Sequence, residues 1–180
     1  MNLKQLKSFV LVLALATFGI SKVSAQSAAY VDKYSPIAKE MMEEHGVPAS
    51  VILAIAMHES GNGGSRIAKN LNNHFGVKGK NRSTVIRSAY KGYRSVLDSY
   101  DDFVGIVKRK KTTQSLFEKH PGEKYEAWVK AIARSGYSTS RDWTAKVFLK
   151  RSNYIILICL ITIPSKINSR QQKNKHDIIA

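Results

Sequence analysis

Cysteine, proline and acidic residues are scarce in this chain of 180 residues. Its single cysteine, Cys159, excludes an internal disulfide and a metal site built from several cysteines. Four prolines and eleven glycines are too few for a collagen-like chain or for one dominated by linkers. Hydrophobic residues still make up 43% of the chain, a share that excludes wholesale disorder.

The shortage of acids leaves a large positive charge. Lysine and arginine number 29 against 13 acids, so the net charge is +16. Residues 26–150 alone hold 21 bases and 12 acids, a surplus of +9. A surplus of this size predicts a polyanion or an anionic surface as partner, either nucleic acid, a membrane or a cell-envelope polymer.

The N-terminal 25 residues predict a secretory signal peptide. Residues 1–7 are positively charged, Phe9–Ile20 is an apolar run of twelve residues, and small residues precede Gln26. The run is too short for a membrane anchor, which needs about 20 apolar residues. An apolar first core helix is the alternative. We expect a mature chain from about Gln26 that acts in the periplasm, the cell envelope or outside the cell, and export argues against nucleic acid as partner.

Residues 26–150 predict one domain of the α+β class that is predominantly helical, with a small β-lobe. A strand pair is expected over Thr84–Tyr93, where β-branched and aromatic residues surround Gly92. Five helices are expected: Ser35 to His45, Pro48 to Ser60, one from Ser99 onward, and two near Tyr125–Arg134 and Trp143–Lys150. The second of these is apolar on most faces and should be buried.

The C-terminal tail, residues 151–180, has a different character. Ile155–Ile163 is apolar and too short to cross a membrane, and the chain then becomes polar and basic. The apolar part fits a buried strand or a short core helix.

Glu59 is the principal candidate for chemistry. It lies at the end of the second predicted helix, where the helix dipole and partial burial both disfavour a negative charge. A carboxyl group that keeps its proton in a cleft can protonate the leaving oxygen of a glycosidic bond. The alternative is a glutamate that simply turns out to solvent, and spacing alone does not exclude it.

Several motifs follow one another in a set order between residues 33 and 150. They are Pro48–Ala54, His58–Gly63, Asn72–Gly79, Tyr93–Ser95, Asp98–Asp101, Trp128–Ala131 and Ser135–Thr139. In this order they resemble the bacterial peptidoglycan endo-β-N-acetylglucosaminidases of glycoside hydrolase family 73, which include flagellar rod-cap hydrolases and many autolysins. An ordered set is far more specific than one motif.

The resemblance implies a lysozyme-like domain whose β-lobe lines a sugar-binding cleft. It implies that Glu59 is the catalytic acid, that Asp98 takes the place of a second carboxylate and that Tyr137 lines the cleft near the acid. It also implies a cleft floor shaped by the motif Asn72, Asn73, Phe75 and Gly76. Asn73, Phe75 and Tyr93 are accordingly expected to bind substrate.

The sequence also departs from the family pattern. Asn62 stands where an aromatic residue is common, so one stacking surface for a sugar is expected to be missing. Asp98 is one methylene shorter than the usual glutamate, and Ser138 replaces an alanine. The sequence pattern of the family's last helix does not continue after Lys150, so we interpret residues 151–180 as a divergent or out-of-frame end.

These features predict an exported hydrolase that cleaves the β-1,4 bond after N-acetylglucosamine in peptidoglycan. Two mechanisms remain open: inversion with Asp98 as base, or retention assisted by the 2-acetamido group of the substrate. A lytic transglycosylase and an inactive, basic wall-binding protein are the alternative functions. Five histidines without ligand spacing predict no metal site. We expect no cofactor, and we expect the protein to be a monomer.

Overall fold

The structure is a computed structural model that describes residues 25–118 and 125–150. The predicted tail and all but the last residue of the predicted signal peptide lie outside these residues. The described residues form helices joined by turns and loops. The prediction of a predominantly helical domain is therefore confirmed.

Seven helices occur in the described residues. They are α1 (25–45), α2 (Ala49–Ser60), α3 (Arg66–Leu71), α4 (Val96–Lys108), α5 (Lys111–Glu118), α6 (Tyr125–Arg134) and α7 (143–150). The helices α2, α6 and α7 lie where the sequence predicts them, and α4 begins three residues earlier than expected. None of the helices in the described residues is long and apolar enough to span a bilayer.

The prediction that the first helix starts at Ser35 was wrong, because α1 is already helical at residue 25. Pro36 can donate no helical hydrogen bond, which is why it predicted a start. Tyr30 and Val31, upstream of it, are 4% and 2% exposed and belong to the core. We attribute the longer helix to this packing, which outweighs the local preference of proline.

The second helix, α2, runs through the centre of the core. Its seven residues from Val51 to Met57 are all buried. Gly61 ends it in the left-handed conformation, with φ of 57°, a common helix ending for glycine. The last turn of α2 therefore carries Glu59 out of the core to its edge.

The predicted strand pair was also wrong. The segment from 77 to 94, which we call the lobe, contains a single antiparallel bridge between Lys78 and Tyr90. Two backbone bonds flank this bridge, from Lys91 N–H to the Val77 carbonyl at 2.8 Å and from Gly79 N–H to the Ala89 carbonyl at 2.9 Å. Asn73 also donates to the carbonyls of Val77 and Lys91, each at 2.8 Å. Side-chain amide bonds of this kind compete with a longer strand ladder, and the lobe is ordered with only this short pairing.

The remaining helices close the core around α2. On one side, Phe103 of α4 stacks on Phe75 with ring centroids 4.2 Å apart. On the other, Trp128 of α6 packs edge-on against Phe117 of α5 at 4.9 Å. The hydroxyl of Tyr125 donates to the backbone carbonyl of Val147 at 3.0 Å, which joins α6 to α7. This joint holds the start of α7 beside the end of α2.

Candidate active site

The carboxyl group of Glu59 is held by a tryptophan from the far end of the domain. Nε1 of Trp143 donates a hydrogen bond of 2.7 Å to Oε1 of Glu59, across 84 residues of sequence. Trp143 is 2% exposed and is the first residue of α7, whereas Glu59 is half-buried. An indole N–H can only donate, so a lone pair of Oε1 is committed to this bond.

The other oxygen, Oε2, faces Gly76. A Cβ atom built on Gly76 would lie 3.4 Å from Oε2 of Glu59 and 3.9 Å from the ring of Tyr90. Gly76 has φ of 64°, a conformation that L side chains rarely adopt. The absence of a side chain therefore lets the loop after α3 pass close to Oε2, the oxygen that Trp143 does not bind.

Tyr137 lies on the same side of the domain. Its hydroxyl donates to the backbone carbonyl of Phe75 at 2.6 Å, and its ring lies 5.5 Å from that of Trp143. Burial raises the pKa of Tyr137 well above its usual range, and the nearby charges of Glu59 and Tyr93 act in the same direction. The phenol therefore stays protonated as a hydrogen-bond donor at any working pH.

Two of the predicted substrate-binding residues support the loop beneath Glu59. Asn73 is 1% exposed, and its amide oxygen accepts from the backbone N–H groups of Phe75 and Val77. Together with its two donated bonds, these use the ordinary hydrogen-bonding capacity of the amide. Phe75 is 2% exposed, with its ring in the core and its carbonyl towards Tyr137. A sugar contact for either side chain stays a prediction.

The third predicted substrate-binding residue, Tyr93, is anchored by an acid on α4. Oδ2 of Asp102 accepts from the Tyr93 hydroxyl and from Nζ of Lys91, each at 2.7 Å. Burial raises the pKa of Asp102, but the hydrogen bonds from Lys91 and Tyr93 outweigh it, so the pKa is lowered. The ionised carboxylate thus ties the lobe to α4.

Asp98, the predicted second carboxylate, lies in the first turn of α4. Its Oδ2 accepts from the backbone N–H of Ser95 at 3.2 Å. In return, the Ser95 hydroxyl accepts from the backbone N–H of Asp98 at 3.1 Å. The two residues form a capping box at an exposed helix start. The structure does not record a contact between Asp98 and Glu59 or Tyr137 among the described residues. The catalytic role of Asp98 stays a prediction.

A buried polar cluster lies under the loop that carries Phe75 and Gly76. The Tyr30 hydroxyl is 2.6 Å from Nδ1 of His74 and 2.9 Å from the Tyr100 hydroxyl. Burial, followed by the positive charge of Lys33, lowers the pKa of His74 to about 4. The Tyr30 hydroxyl thus forms hydrogen bonds with both His74 and Tyr100, so the cluster joins α1 and α4 to the site loop.

Sequence reasoning missed two residues of this site. Neither Trp143, which binds Glu59, nor Asp102, which binds Tyr93, was among the predicted site residues. One signal for Trp143 exists in the sequence, because a buried indole N–H usually finds an acceptor. Which acceptor it finds depends on chain folding over 84 residues, so the pairing with Glu59 was not predictable.

The site uses few titratable groups. His58, next to Glu59, is half-buried, and its ring lies edge-on to Trp143 at 6.4 Å. Burial lowers the pKa of His58, although the charge of Glu59 opposes this shift. Within residues 25–118 and 125–150, no three His, Cys, Asp or Glu side chains come together as metal ligands would.

The fold and the site are those of a mostly helical domain with a half-buried carboxyl group at a helix end, near a neutral phenol. Comparison with known proteins gives the family. The sequence model described as mannosyl-glycoprotein endo-beta-N-acetylglucosaminidase matches residues 35–150, more than half of the chain. The chain belongs to this Glucosaminidase family of glycoside hydrolases.

A curated relative is similar over part of its length. Exo-glucosaminidase LytG of Bacillus subtilis (strain 168) is 28% identical over 138 residues, which are 66% of this chain and 48% of LytG. The chain therefore spans about half the length of this relative.

Solved structures share the fold. The glycoside hydrolase domain of FlgJ from Salmonella typhimurium has a TM-score of 0.57 at 24% identity, covering 82% of this chain and 98% of that domain. The catalytic domain of the autolysin Auto from Listeria monocytogenes has a TM-score of 0.61 at 16% identity, with 86% and 95% covered. At these identities the likeness shows the fold alone.

Proposed function

We propose that the protein is an exported peptidoglycan hydrolase that cleaves the β-1,4 bond after N-acetylglucosamine, with Glu59 as the general acid. The family supports glycosidic cleavage, and the geometry of Glu59 supports its role. The observation that carries the proposal is that the two carboxyl oxygens have different surroundings. Oε1 accepts from Trp143, and Oε2 lies beside Gly76.

This difference between the two oxygens suits proton donation. A general acid must present its proton from a defined position to the leaving oxygen. Because Oε1 is occupied by an N–H donor, the proton resides on Oε2. Trp143 is then a positioning residue, which fixes the rotation of the carboxyl group without itself touching the sugar.

For the second reacting group of the mechanism, we favour the 2-acetamido group of the substrate. Asp98 is used as a helix cap, and Asp102 is bound to Lys91 and Tyr93. The lobe itself contains no acid between residues 77 and 94. When the acetamido oxygen attacks the anomeric carbon, the glycosidic bond breaks and its oxygen leaves with the proton of Glu59, so the protein needs only one carboxyl group. We assign Tyr137 a supporting role beside it. Inversion with Asp98 as base is the alternative.

The location follows from the substrate and from the N-terminal sequence. The signal-peptide pattern of residues 1–25 supports export to the periplasm, the cell envelope or the medium. The surplus of +9 over residues 26–150 supports attraction to an anionic wall.

Mass spectrometry of purified peptidoglycan digested by the protein tests the bond specificity. Products with reducing N-acetylglucosamine ends are expected. Ends of anhydro-muramic acid would instead indicate a lytic transglycosylase, and reducing muramic acid ends would indicate a muramidase. A folded protein that binds the wall and releases nothing would overturn hydrolysis in favour of a wall-binding function.

A further inference from the structure

The lobe is unusually basic. It contains six basic residues and no acid in 18 positions: Lys78, Lys80, Arg82, Arg87, Lys91 and Arg94. In the described part of the chain, the ion pair recorded for these six joins Lys91 to Asp102. The other five cations thus have no acidic partner there, and their charges reinforce one another beside the candidate site.

Three of these cations line a groove of about 690 Å³ on the lobe. These three are Lys80, Arg82 and Arg94, and Leu71 at the end of α3 adds an apolar side chain to the lining. The lining contains no Asp or Glu. All three cations are exposed, so an anion from solvent can reach them.

The shape of the groove is set by the lobe itself. The Asn81 amide donates to the carbonyls of Ser88 and Tyr90, each at 2.8 Å. The backbone N–H of Tyr93 donates to the carbonyl of Leu71 at 2.9 Å and closes the lobe onto α3. A Cβ on Gly92 would lie 2.9 Å from Cβ of Asn81, so the two segments are in close contact. The cations are therefore displayed on an ordered loop.

The groove adjoins the candidate active site at Tyr93. This residue lines the groove, and its hydroxyl is bound to Asp102. It is also close enough to Tyr137 to contribute to the raised pKa of that phenol. A polymer lying across Glu59 and Tyr137 would therefore pass next to the basic groove.

We propose that this groove binds carboxylates of the stem peptides carried by the glycan strand, an inference that rests on the proposed function. While the stems are attached, the N-acetylated sugars of the strand are neutral, and the stem peptides supply its anions. A guanidinium group matches a carboxylate with two parallel hydrogen bonds, so Arg82 and Arg94 are the expected contacts. The groove would then select strands whose stem peptides carry carboxylates that are not amidated.

The kinetic test uses the double variant Arg82→Gln/Arg94→Gln. On peptidoglycan with intact stems we expect KM to rise about 3- to 10-fold at low salt, with kcat unchanged, because each exposed pair contributes little. On the same wall with its carboxylates converted to amides by carbodiimide and ammonia, the variant and the wild type should agree. The matched control is Lys39→Gln/Lys130→Gln, which removes two exposed cations from α1 and α6 and should leave KM unchanged.

Two kinetic results would overturn the proposal. One is an unchanged KM on stem-bearing wall, and the other is an equal rise on both substrates. A rise that disappears when phosphate polymers are first removed from the wall would assign the groove to phosphate instead. An unchanged thermal unfolding midpoint of the double variant excludes misfolding as the cause of a rise.

A binding measurement separates this proposal from the proposed function. A soluble stem peptide with free carboxylates is titrated into the purified protein and into Arg82→Gln/Arg94→Gln. Weaker binding to the variant, and no binding of the fully amidated peptide, would support the groove even if the wild type cleaved no wall. Equal binding to both proteins, or none to either, would overturn the groove even if the wild type cleaved the wall.

Discussion

Trp143 and Glu59 are joined by a hydrogen bond of 2.7 Å between the indole N–H and Oε1. The bond connects the first residue of α7 to the last turn of α2, so α7 fixes the carboxyl group at the edge of the core. A change at Trp143 therefore reaches the candidate acid directly.

The substitution Trp143→Phe tests this bond. It keeps an aromatic ring and removes the donor, so kcat should fall on the order of 10- to 100-fold with little change in KM. Without the N–H donor, the carboxyl group of Glu59 is free to rotate away from the position in which it meets the substrate.

The control for this test is Trp128→Phe. Trp128 is 1% exposed and packs against Phe117 in the core, where it has no bond to Glu59. This variant should lose stability and keep the kcat of the wild type. An unchanged kcat for Trp143→Phe would show that the indole only fills space.

The substitution Gly76→Ala tests the open side of the carboxyl group. The new Cβ would lie 3.4 Å from Oε2 of Glu59. The rate of wall lysis should therefore fall further than the loss of folded protein alone explains. Strain at a φ of 64° should cost about 1–2 kcal/mol of unfolding free energy. Gly46→Ala is the matched control, because Gly46 has φ of 76° and follows α1. Chemical unfolding and wall-lysis rates of both variants give the comparison, and equal loss of activity would contradict the account.

The substitution Tyr137→Phe removes the hydroxyl that donates to the Phe75 carbonyl at 2.6 Å. We expect kcat to fall about 10-fold or more, because the phenol orients the loop beside the acid. Burial raises the pKa of Tyr137, so its ionisation should not limit wild-type activity below pH 10. Tyr34→Phe, on α1, should leave kcat unchanged. A wild-type rate that falls with the ionisation of a tyrosine near pH 10 would contradict this assignment.

The stability of the domain should depend on pH through His74. Its pKa is lowered from 6.5 to about 4, so between these values the unfolded chain binds a proton that the folded chain does not. Stability should be complete above pH 6.5 and fall as the pH drops towards 4, by about 3 kcal/mol at most. Urea unfolding at pH 7 and pH 4.5 measures this fall. His74→Gln should flatten it, and an undiminished fall would assign the effect to other groups.

The sequence predicted the parts of the fold that local signals control. In the structure α2 lies between Pro48 and Gly61, as the sequence predicts, because each of these residues acts within its own turn. The start of α1 was mispredicted because Tyr30 is held by distant residues. The strand pair was mispredicted because Asn73 and Asn81 bind the carbonyls that strands would use.

The site was predictable to a similar degree. Position on a helix and family resemblance both singled out Glu59, and the order of motifs singled out Tyr137. The partners that fix their geometry come from contacts across the fold. Trp143 is 84 residues from Glu59, and Tyr137 is 62 residues from Phe75. No periodicity in the sequence reports such pairings.

The most direct test of the central claim is the release of soluble fragments from purified peptidoglycan by Glu59→Gln. The account predicts a loss of at least about 1,000-fold relative to the wild type, at an unchanged unfolding midpoint, because the amide has no proton to donate. Glu43→Gln, an exposed glutamate on α1, should retain full activity. A folded Glu59→Gln protein that kept a tenth of the wild-type rate would contradict the assignment of Glu59 as the general acid.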